Sequence, residues 1–228
     1  MTVTTPTTAR FPTMGDLLHA LGDVPPGRVL LHPMPGTATE VELLELLDHE
    51  NRACELVDGT LVEKPLGIVE SLLAIALVRL LGNHVAEHKL GVLSGPDGPF
   101  RLRLGLVRFP DIAFIPWDRL PGNLAELPAI PSLIPTLTVE VISGSNTRRE
   151  MELKREEYFR AGVQLVWIVD PESRSVEVYR HSRSPEKVLR GADAMDGAEV
   201  LPGFTLTVER LFAELDPPTP PGTAGQHE

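Results

Sequence analysis

Residues 137–171 read LTVEVISGSNTRREMELKREEYFRAGVQLVWIVDP, and their pattern decides the fold. The stretch opens with a β-branched apolar run at 137–142, which predicts a strand. Thr147 and Glu150 have the spacing of a capping box, which predicts the start of a helix, and Gly162 is suited to end it. A second apolar run follows this glycine and predicts another strand. The succession of strand, helix and strand is typical of an α/β fold.

The segments before this stretch extend the α/β pattern. Apolar spacing predicts a short amphipathic helix over 39–48 and a longer helix over 66–84. The Asp58-Gly59 pair predicts a hairpin over 54–63. From Gly91 onward apolar residues alternate with polar ones, which predicts a β-meander. The expected fold class is therefore α/β, with a mixed central β-sheet flanked by helices.

Helical spacing also predicts which side chains face inward. In the short helix these are Val41, Leu44 and Leu47. In the longer helix the inward stripe comprises Leu66, Leu73, Leu77, Leu80 and Leu81, with Val69 and Glu70 in the same sector. The Glu70 carboxylate would then lie at the rim of the core or in a functional site.

Composition indicates one domain with flexible ends. The chain has 228 residues, and both ends are rich in Thr, Pro and Gly. We predict a disordered tail at 1–14, a single domain over 15–214 and a second disordered tail at 215–228. The longest uninterrupted apolar run is 72–78, against roughly 20 residues for a bilayer span, so no membrane partner is expected. We find no secretory signal, and the single Cys54 excludes an internal disulfide, so the expected location is cytoplasmic.

Net charge argues against a broadly basic surface. The chain carries 21 Lys and Arg against 32 Asp and Glu, a formal net charge of -11, so it would repel nucleic acid except at a local basic face. Candidates for nucleic-acid contact are Arg101, Arg103, Arg108 and Arg155. Alternation places Arg101 and Arg103 on one face of a strand. An ordinary solvated position is an equally good interpretation of each arginine, and we expect nucleic-acid binding to be weak and salt-sensitive.

Three charged residues are notable for the elements that carry them. Asp111 precedes an apolar run, and Glu140 lies inside a β-branched run, where an ionised carboxylate is costly unless it is paired or binds a metal. Each could be a surface carboxylate, but on neighbouring strands the two could form the oxygen-rich site that Mg²⁺ prefers. Lys154 lies at the edge of the sheet-facing sector of its predicted helix. Its ammonium could reach over the strand ends or extend to solvent.

An ordered series of motifs resembles a known family. The series runs Pro110-Asp111, Val139-Glu140-Val141-Ile142-Ser143, Lys154-x-x-x-Tyr158, Ala161-Gly162-Val163 and Val166-Trp167-Ile168-Val169-Asp170-Pro171. It closely resembles the Uma-two family of restriction-endonuclease-like proteins, members of the PD-(D/E)XK nuclease superfamily. The likeness covers about residues 40–213. It implies a restriction-endonuclease-like core, with the N-terminal helix and the hairpin as additions.

The resemblance implies roles for individual residues. Asp111 and Glu140 would bind a divalent metal ion, Mg²⁺ or Mn²⁺, together with the backbone carbonyl of Val141. Ile142 stands where the superfamily signature has lysine, so the resemblance gives that role to Lys154. Lys154 would orient the attacking water and stabilise charge on the phosphorane. Glu70 would match the acidic residue that such nucleases often carry on their first core helix.

The function implied by the resemblance is a metal-dependent endonuclease that hydrolyses phosphodiester bonds, with DNA as the expected substrate. Related nucleases commonly pair to cut duplexes, so a homodimer is expected. Apolar residues between prolines are candidates for its surface: Leu127, Ile130, Leu133 and Ile134. RNA and structured DNA stay open as substrates. The alternative function is a catalytically silent nucleic-acid-binding or assembly module that retains the nuclease fold.

Overall fold

A computed structural model describes residues 11–50, 52–65, 67–181 and 183–217. These residues contain three β-sheets and five α-helices. The helices are α1 (Met14–Ala20), α2 (Glu40–Glu45), α3 (Ile68–Glu87), α4 (Arg148–Ala161) and α5 (Val208–Phe212). The strands are β1 (Cys54–Val57), β2 (Thr60–Glu63), β3 (Gly91–Ser94), β4 (Phe100–Arg103), β5 (Leu106–Arg108), β6 (Ile112–Pro116), β7 (Leu137–Val141), β8 (Leu165–Asp170), β9 (Ser175–Tyr179), β10 (Lys187–Arg190), β11 (Ala194–Asp196) and β12 (Thr205–Thr207).

The largest sheet has six strands in the order β10-β9-β8-β7-β6-β3. Strands β7 and β8 are parallel and are joined through α4, whereas the other neighbours in this sheet are antiparallel. The sheet is therefore mixed, as predicted, and helices flank it. The α/β fold class expected from the sequence is confirmed.

The two faces of this sheet carry different layers. Val139 and Trp167 face one side, where α3 and α5 cover them as part of a large apolar core. Because side chains alternate along a strand, Thr138, Glu140 and Ile168 face the opposite side. Ile168 packs there in a second core that includes Met151 and Tyr158 of α4. Glu140 therefore projects toward α4.

A smaller antiparallel sheet lies on the other side of α4, with the strand order β2-β1-β5-β4. Its apolar residues Val57, Val62 and Leu106 belong to the same core as Met151 and Tyr158. Helix α4 is thus packed between two sheets. Each charged side chain that α4 buries therefore needs a partner inside the protein.

The residues at the hairpin turn and at the ends of α4 predicted the local structure correctly in most respects. The hairpin β1–β2 is confirmed, with Asp58 and Gly59 at φ 50° and 78°. Helix α4 begins after Thr147, whose Oγ1 accepts a hydrogen bond from the amide of Glu150 at 2.9 Å, and ends at Gly162 with φ 109°. The predicted capping box is half formed, because the Glu150 carboxylate pairs with a buried arginine instead.

The predicted meander is wrong, although its strands exist. Strand β3 pairs with β6 in the large sheet, whereas β4 and β5 pair in the smaller sheet. Alternation reports that a segment is half-buried and extended, but it does not report which strand it pairs with. The chain leaves one sheet after β3 and returns to it at β6.

The inward face predicted for the short helix is right in part, because Leu44 and Leu47 pack against the core but Val41 does not. Leu43 is fully buried, whereas Val41 is 62% exposed and Leu44 and Leu47 are partly buried. Helix α2 ends at Glu45 and continues as a π-helical turn, Leu46–Glu50. The wider turn changes the 100° spacing from Leu46 onward, whereas Val41 lies before it in the first turn of α2.

Helix α3 packs largely as predicted. Leu73, Leu77 and Leu81 are buried and Leu80 is partly buried, whereas Val69 is 40% exposed and Leu66 lies outside the described residues. By length and composition alone α3 could cross a membrane, although its longest uninterrupted apolar run is only 72–78. In this fold α3 contributes one side of the large core.

The predicted tails lie mostly outside the described residues, at 1–10 and 218–228. Helix α1 begins at Met14, and a short 3₁₀ turn ends at Leu215. The domain boundaries stay predictions. The proposed dimer surface needs correction at Ile130, which is 2% exposed because it packs inside its own chain.

We expect Leu43→Ala to lower the free energy of unfolding by about 2–5 kcal/mol, because it leaves a cavity under the smaller sheet. Val41→Ala, on the same helix, should change it by less than about 0.5 kcal/mol. Urea denaturation of both variants measures the difference. A larger loss for Val41→Ala would support the face predicted from spacing.

Candidate active site

Asp111 and Glu140 face the same side of the six-stranded sheet. Ile112 pairs with Val139 across β6 and β7, so the register continued by one residue sets Asp111 opposite Glu140. Opposite residues project from one face with their Cα atoms roughly 4.5–5.5 Å apart. Asp111 Oδ2 also accepts a hydrogen bond from the Val141 amide at 2.7 Å. The Asp111 and Glu140 carboxylates therefore lie side by side where β6 begins and β7 ends.

Lys154 connects this pair to the smaller sheet. Its Nζ lies 3.2 Å from Oε2 of Glu140 and 3.1 Å from Oε1 of Glu55, a residue of β1. All three side chains are at most 5% exposed. The structure thus brings Lys154 to Glu140, and it adds Glu55 as a second counter-ion from the opposite sheet.

Arg108 is the cation that pairs with Glu55 from the neighbouring strand. Its Nη1 donates to Oε2 of Glu55 at 2.7 Å, and its Nε donates to Glu157 of α4 at 2.8 Å. Arg108 is only 3% exposed, because its strand places it on the face covered by α4. The prediction that Arg108 contacts nucleic acid is therefore corrected, since its guanidinium holds the cluster together.

Tyr158 supplies the remaining contact of Glu140. It lies one turn after Lys154 on α4, and its hydroxyl donates a hydrogen bond to Oε1 of Glu140. Each oxygen of Glu140 consequently has a donor from α4. The sequence motif Lys-x-x-x-Tyr is thus a pair of donors aimed at one carboxylate.

Lys64 gives Asp111 a cation of its own. Its Nζ lies 3.0 Å from Oδ1 of Asp111 and donates to the carbonyl of Phe109 at 2.6 Å. The Lys64 side chain is 7% exposed and that of Asp111 is 17% exposed, so this end of the cluster is nearest to solvent.

The carboxyl groups of the cluster differ in their affinity for protons. Burial raises the pKa of Glu140, and the neighbouring Asp111 and Glu55 carboxylates act in the same direction, against the opposing effect of Lys154. Burial also acts to raise the pKa of Glu55, but Lys154 and Arg108 outweigh it and lower that pKa to about 2. Glu55 is therefore the fixed anion of the cluster, meaning the carboxylate that stays ionised at neutral pH. Glu140 is the carboxylate whose negative charge is less well compensated.

The two donors on α4 keep their protons at neutral pH. Burial opposes the charged form of Lys154, but Glu140 and Glu55 outweigh it and raise its pKa above the usual value. Burial, followed by the charge of Glu140, raises the pKa of Tyr158 as well. Lys154 is thus suited to stabilise negative charge, not to accept a proton.

Glu70 is not brought to this cluster. It lies in the first turn of α3, and a Cβ at Gly67 would be 1.8 Å from its Oε2, so the carboxylate covers the start of its own helix. Among the described residues no hydrogen bond or ion pair joins it to Asp111 or Glu140. A carboxylate in this turn interacts favourably with the helix dipole, which accounts for its position.

The other candidate arginines lie apart from the cluster. Arg101 forms two hydrogen bonds to Glu40, and Arg103 pairs with Asp58 while remaining half exposed. Arg155 is 7% exposed and lies over the ring of Tyr179, with its Cζ 4.5 Å from the ring centre. Their predicted contact with nucleic acid stays a prediction.

The sequence interpretation missed Glu55 and Lys64. Glu55 carried a usable signal, because it is an acidic residue in an apolar strand, as is Glu140. Lys64 follows the hairpin and has no local pattern that marks it. Its role depends on a contact with Asp111, 47 residues later.

The residues present suit a hard divalent cation in their donor chemistry. Asp111 and Glu140 offer carboxylate oxygens from one face, and such oxygens are the ligands that Mg²⁺ prefers. Burial raises the pKa of Glu140, with Asp111 and Glu55 acting in the same direction, so a cation beside it would favour its ionised form. Within the described residues there is no cluster of three or more His, Cys, Asp or Glu side chains placed to hold a metal, so backbone oxygens or water would complete the set.

Comparisons with known proteins agree with this architecture. A family model described as "Uma2: Putative restriction endonuclease" matches residues 40–209. A solved structure, of "a putative nuclease belonging to DUF820 from Anabaena variabilis ATCC 29413", superposes with a TM-score of 0.67 at 22% sequence identity. The match covers 78% of this chain and 98% of that one, and at this identity it supports the fold alone. No curated protein matches the sequence.

The opposite pKa shifts of Glu55 and Glu140 predict that two similar substitutions destabilise the protein unequally. Glu55→Gln should lower the free energy of unfolding at pH 7 by about 3 kcal/mol, since it leaves Lys154 and Arg108 undercompensated. Because the folded-state pKa of Glu55 is depressed, this contribution exists above about pH 4.5 and is lost as the pH falls toward 2. Glu140→Gln should cause a smaller loss, because burial disfavours the ionised form of Glu140 and Glu55 still compensates Lys154.

Urea denaturation of both variants between pH 2 and pH 7 tests this prediction. Glu172→Gln, which changes an exposed carboxylate, is the matched control. Equal losses for Glu55→Gln and Glu140→Gln at pH 7 would contradict the assignment of Glu55 as the fixed anion.

Proposed function

Because the chain belongs to the Uma2 family, described as "Putative restriction endonuclease", we propose that it is a metal-dependent nuclease that hydrolyses phosphodiester bonds of DNA. The observation that carries the proposal is the convergence of Asp111, Glu140 and Lys154 from two strands and a helix. Phosphodiester hydrolysis needs charge neutralisation at the phosphate and an activated water. Two carboxylates and a permanently charged lysine are suited to that requirement.

In this proposal the carboxylates hold the metal ion. Asp111, Glu140 and the backbone carbonyl of Val141 would bind Mg²⁺ or Mn²⁺, which supplies Lewis acidity at the phosphate when bound. Asp111 is oriented by the Val141 amide, and Glu140 is oriented by the Tyr158 hydroxyl. These hydrogen bonds fix the direction of the ligand oxygens before any ion arrives.

Lys154 would stabilise the negative charge that develops on the phosphate. Its raised pKa keeps the ammonium charged, and burial makes its interaction with an anion stronger than in water. Glu55 holds the ammonium 3.1 Å away on the side opposite Glu140. Glu55 and, through it, Arg108 are therefore positioning residues for Lys154 in this proposal.

We expect Glu140→Gln to reduce cleavage by at least about a hundredfold while the protein stays folded. The assay uses supercoiled plasmid, linear duplex, single-stranded DNA and RNA, each with and without Mn²⁺. Lys154→Met should cause a similar loss, whereas Lys187→Met, at the far edge strand, should cleave as the wild type does. Near-UV circular dichroism checks the fold of each variant.

Cleavage by Glu140→Gln at the wild-type rate would contradict the assignment of Glu140. Cleavage that survives Lys154→Met in a folded protein would contradict the role of Lys154. The substrate panel also decides between DNA and RNA, since the proposal requires the highest rate on DNA.

The second candidate is a catalytically silent nucleic-acid-binding or assembly module. Two observations favour it: every oxygen of Asp111 and Glu140 already accepts a hydrogen bond from the chain, and α3 exposes an apolar stripe. The stripe is formed by Ile68, Leu72 and Ile75, which are 74%, 51% and 65% exposed. Exposed apolar patches of this kind mark association surfaces, here for a second copy of the chain.

Calorimetric titration of Mn²⁺ separates the two candidates. A nuclease should bind the ion, and Asp111→Ala combined with Glu140→Ala should abolish that binding. Binding that is absent in the wild type, or unaffected by these changes, would favour the silent module. Sedimentation velocity of the wild type and of Ile75→Glu would then test pairing through α3.

A further inference from the structure

We propose that Lys64 competes with the divalent cation for Asp111 and so sets the ion concentration at which the site fills. This inference rests on the proposed metal-dependent function. It concerns Lys64, a residue outside the motifs that indicate the family. The Lys64 ammonium already supplies a positive charge next to Asp111. Lys64 is in this sense a positioning residue that acts through Asp111.

The geometry places Lys64 where it blocks the approach to Asp111. Its Nζ lies 3.0 Å from Oδ1, while Oδ2 is held by the Val141 amide at 2.7 Å. A cation that binds Asp111 has to replace one of these donors or share an oxygen with it. The ammonium is the donor with a like charge, so it is the donor that an arriving cation repels.

Asp111 is also the more accessible of the two carboxylates. Its side chain is 17% exposed, whereas that of Glu140 is 5% exposed and is covered by α4. An ion from solvent therefore reaches Asp111 first. Lys64, 7% exposed itself, stands at this entrance.

The charge balance of the cluster gives the direction of the effect. The cluster holds four acidic and three basic residues: Lys64 pairs with Asp111, Lys154 with Glu140 and Glu55, and Arg108 with Glu55 and Glu157. Without the charge of Lys64, the excess of negative charge rises from one to two. A divalent cation is then held more strongly, because its attraction to the cluster grows while its competitor is gone.

A second contact lets Lys64 release Asp111 without losing all its partners. Its Nζ also donates to the carbonyl of Phe109 at 2.6 Å. The ammonium can therefore stay beside the site after the cation has taken Oδ1. This makes the exchange reversible and less costly than expelling a buried charge.

The test compares Mn²⁺ affinity in three variants by isothermal titration calorimetry. Lys64→Gln keeps hydrogen-bond donors but removes the charge, so its Kd for Mn²⁺ should fall at least about tenfold below the wild-type value. Lys64→Arg keeps the charge and should stay within about threefold of the wild type. Lys187→Met removes a charge on β10, which is four strand spacings or about 19 Å from β6 in the sheet, and should not change the Kd.

Thermal unfolding provides a second readout that needs no catalysis. Without Mn²⁺, Lys64→Gln should melt below the wild type, because Asp111 loses its ion pair. With saturating Mn²⁺ its melting temperature should rise by more than that of the wild type, since ligand stabilisation grows with affinity. Equal shifts in the two proteins would overturn the inference.

The outcomes separate this inference from the proposed function. If the wild type binds Mn²⁺ and Asp111→Asn does not, but Lys64→Gln binds no more tightly than the wild type, then the competition alone is wrong. If Asp111→Asn binds Mn²⁺ as the wild type does, or if none of the proteins binds it, the metal site and the competition are both wrong.

Discussion

A buried ammonium between two sheets is the constraint on which the rest of this structure depends. Lys154 is 2% exposed, so its charge has to be compensated inside the protein. Glu140 compensates it from the large sheet and Glu55 from the smaller one, with α4 between them. The hydrogen bonds of Tyr158 and Arg108 follow from the same need, because each satisfies a carboxylate that faces Lys154.

The sequence predicts those parts of the site that depend on local pattern. Glu140 is conspicuous in a β-branched run, and Lys154 lies on a helix whose start and end are marked by Thr147 and Gly162. Glu55 was missed although it lies in an apolar strand as Glu140 does, and Lys64 was missed because its partner is far away in the chain. The pairing of β3 with β6 was missed for the same reason, since alternation carries no information about the partner strand.

The basic residues of this acidic chain are largely engaged with its own carboxylates. Arg101 pairs with Glu40, Arg103 with Asp58, and Arg108 is taken into the interior. With a net charge of -11, the surface as a whole does not attract a phosphate polymer. In the proposed nuclease, affinity for the substrate would therefore depend on contacts close to Asp111 and Glu140 and would fall steeply with added salt.

The ion pair between Glu55 and Lys154 joins residues 99 positions apart in the chain. Contacts of such separation carry a large loop-closure cost and depend on the topology of the whole domain. A partly unfolded domain that kept α4 and its two parallel strands but lost the smaller sheet would lack the counter-ion Glu55. Completion of the charged cluster is thereby coupled to completion of the domain.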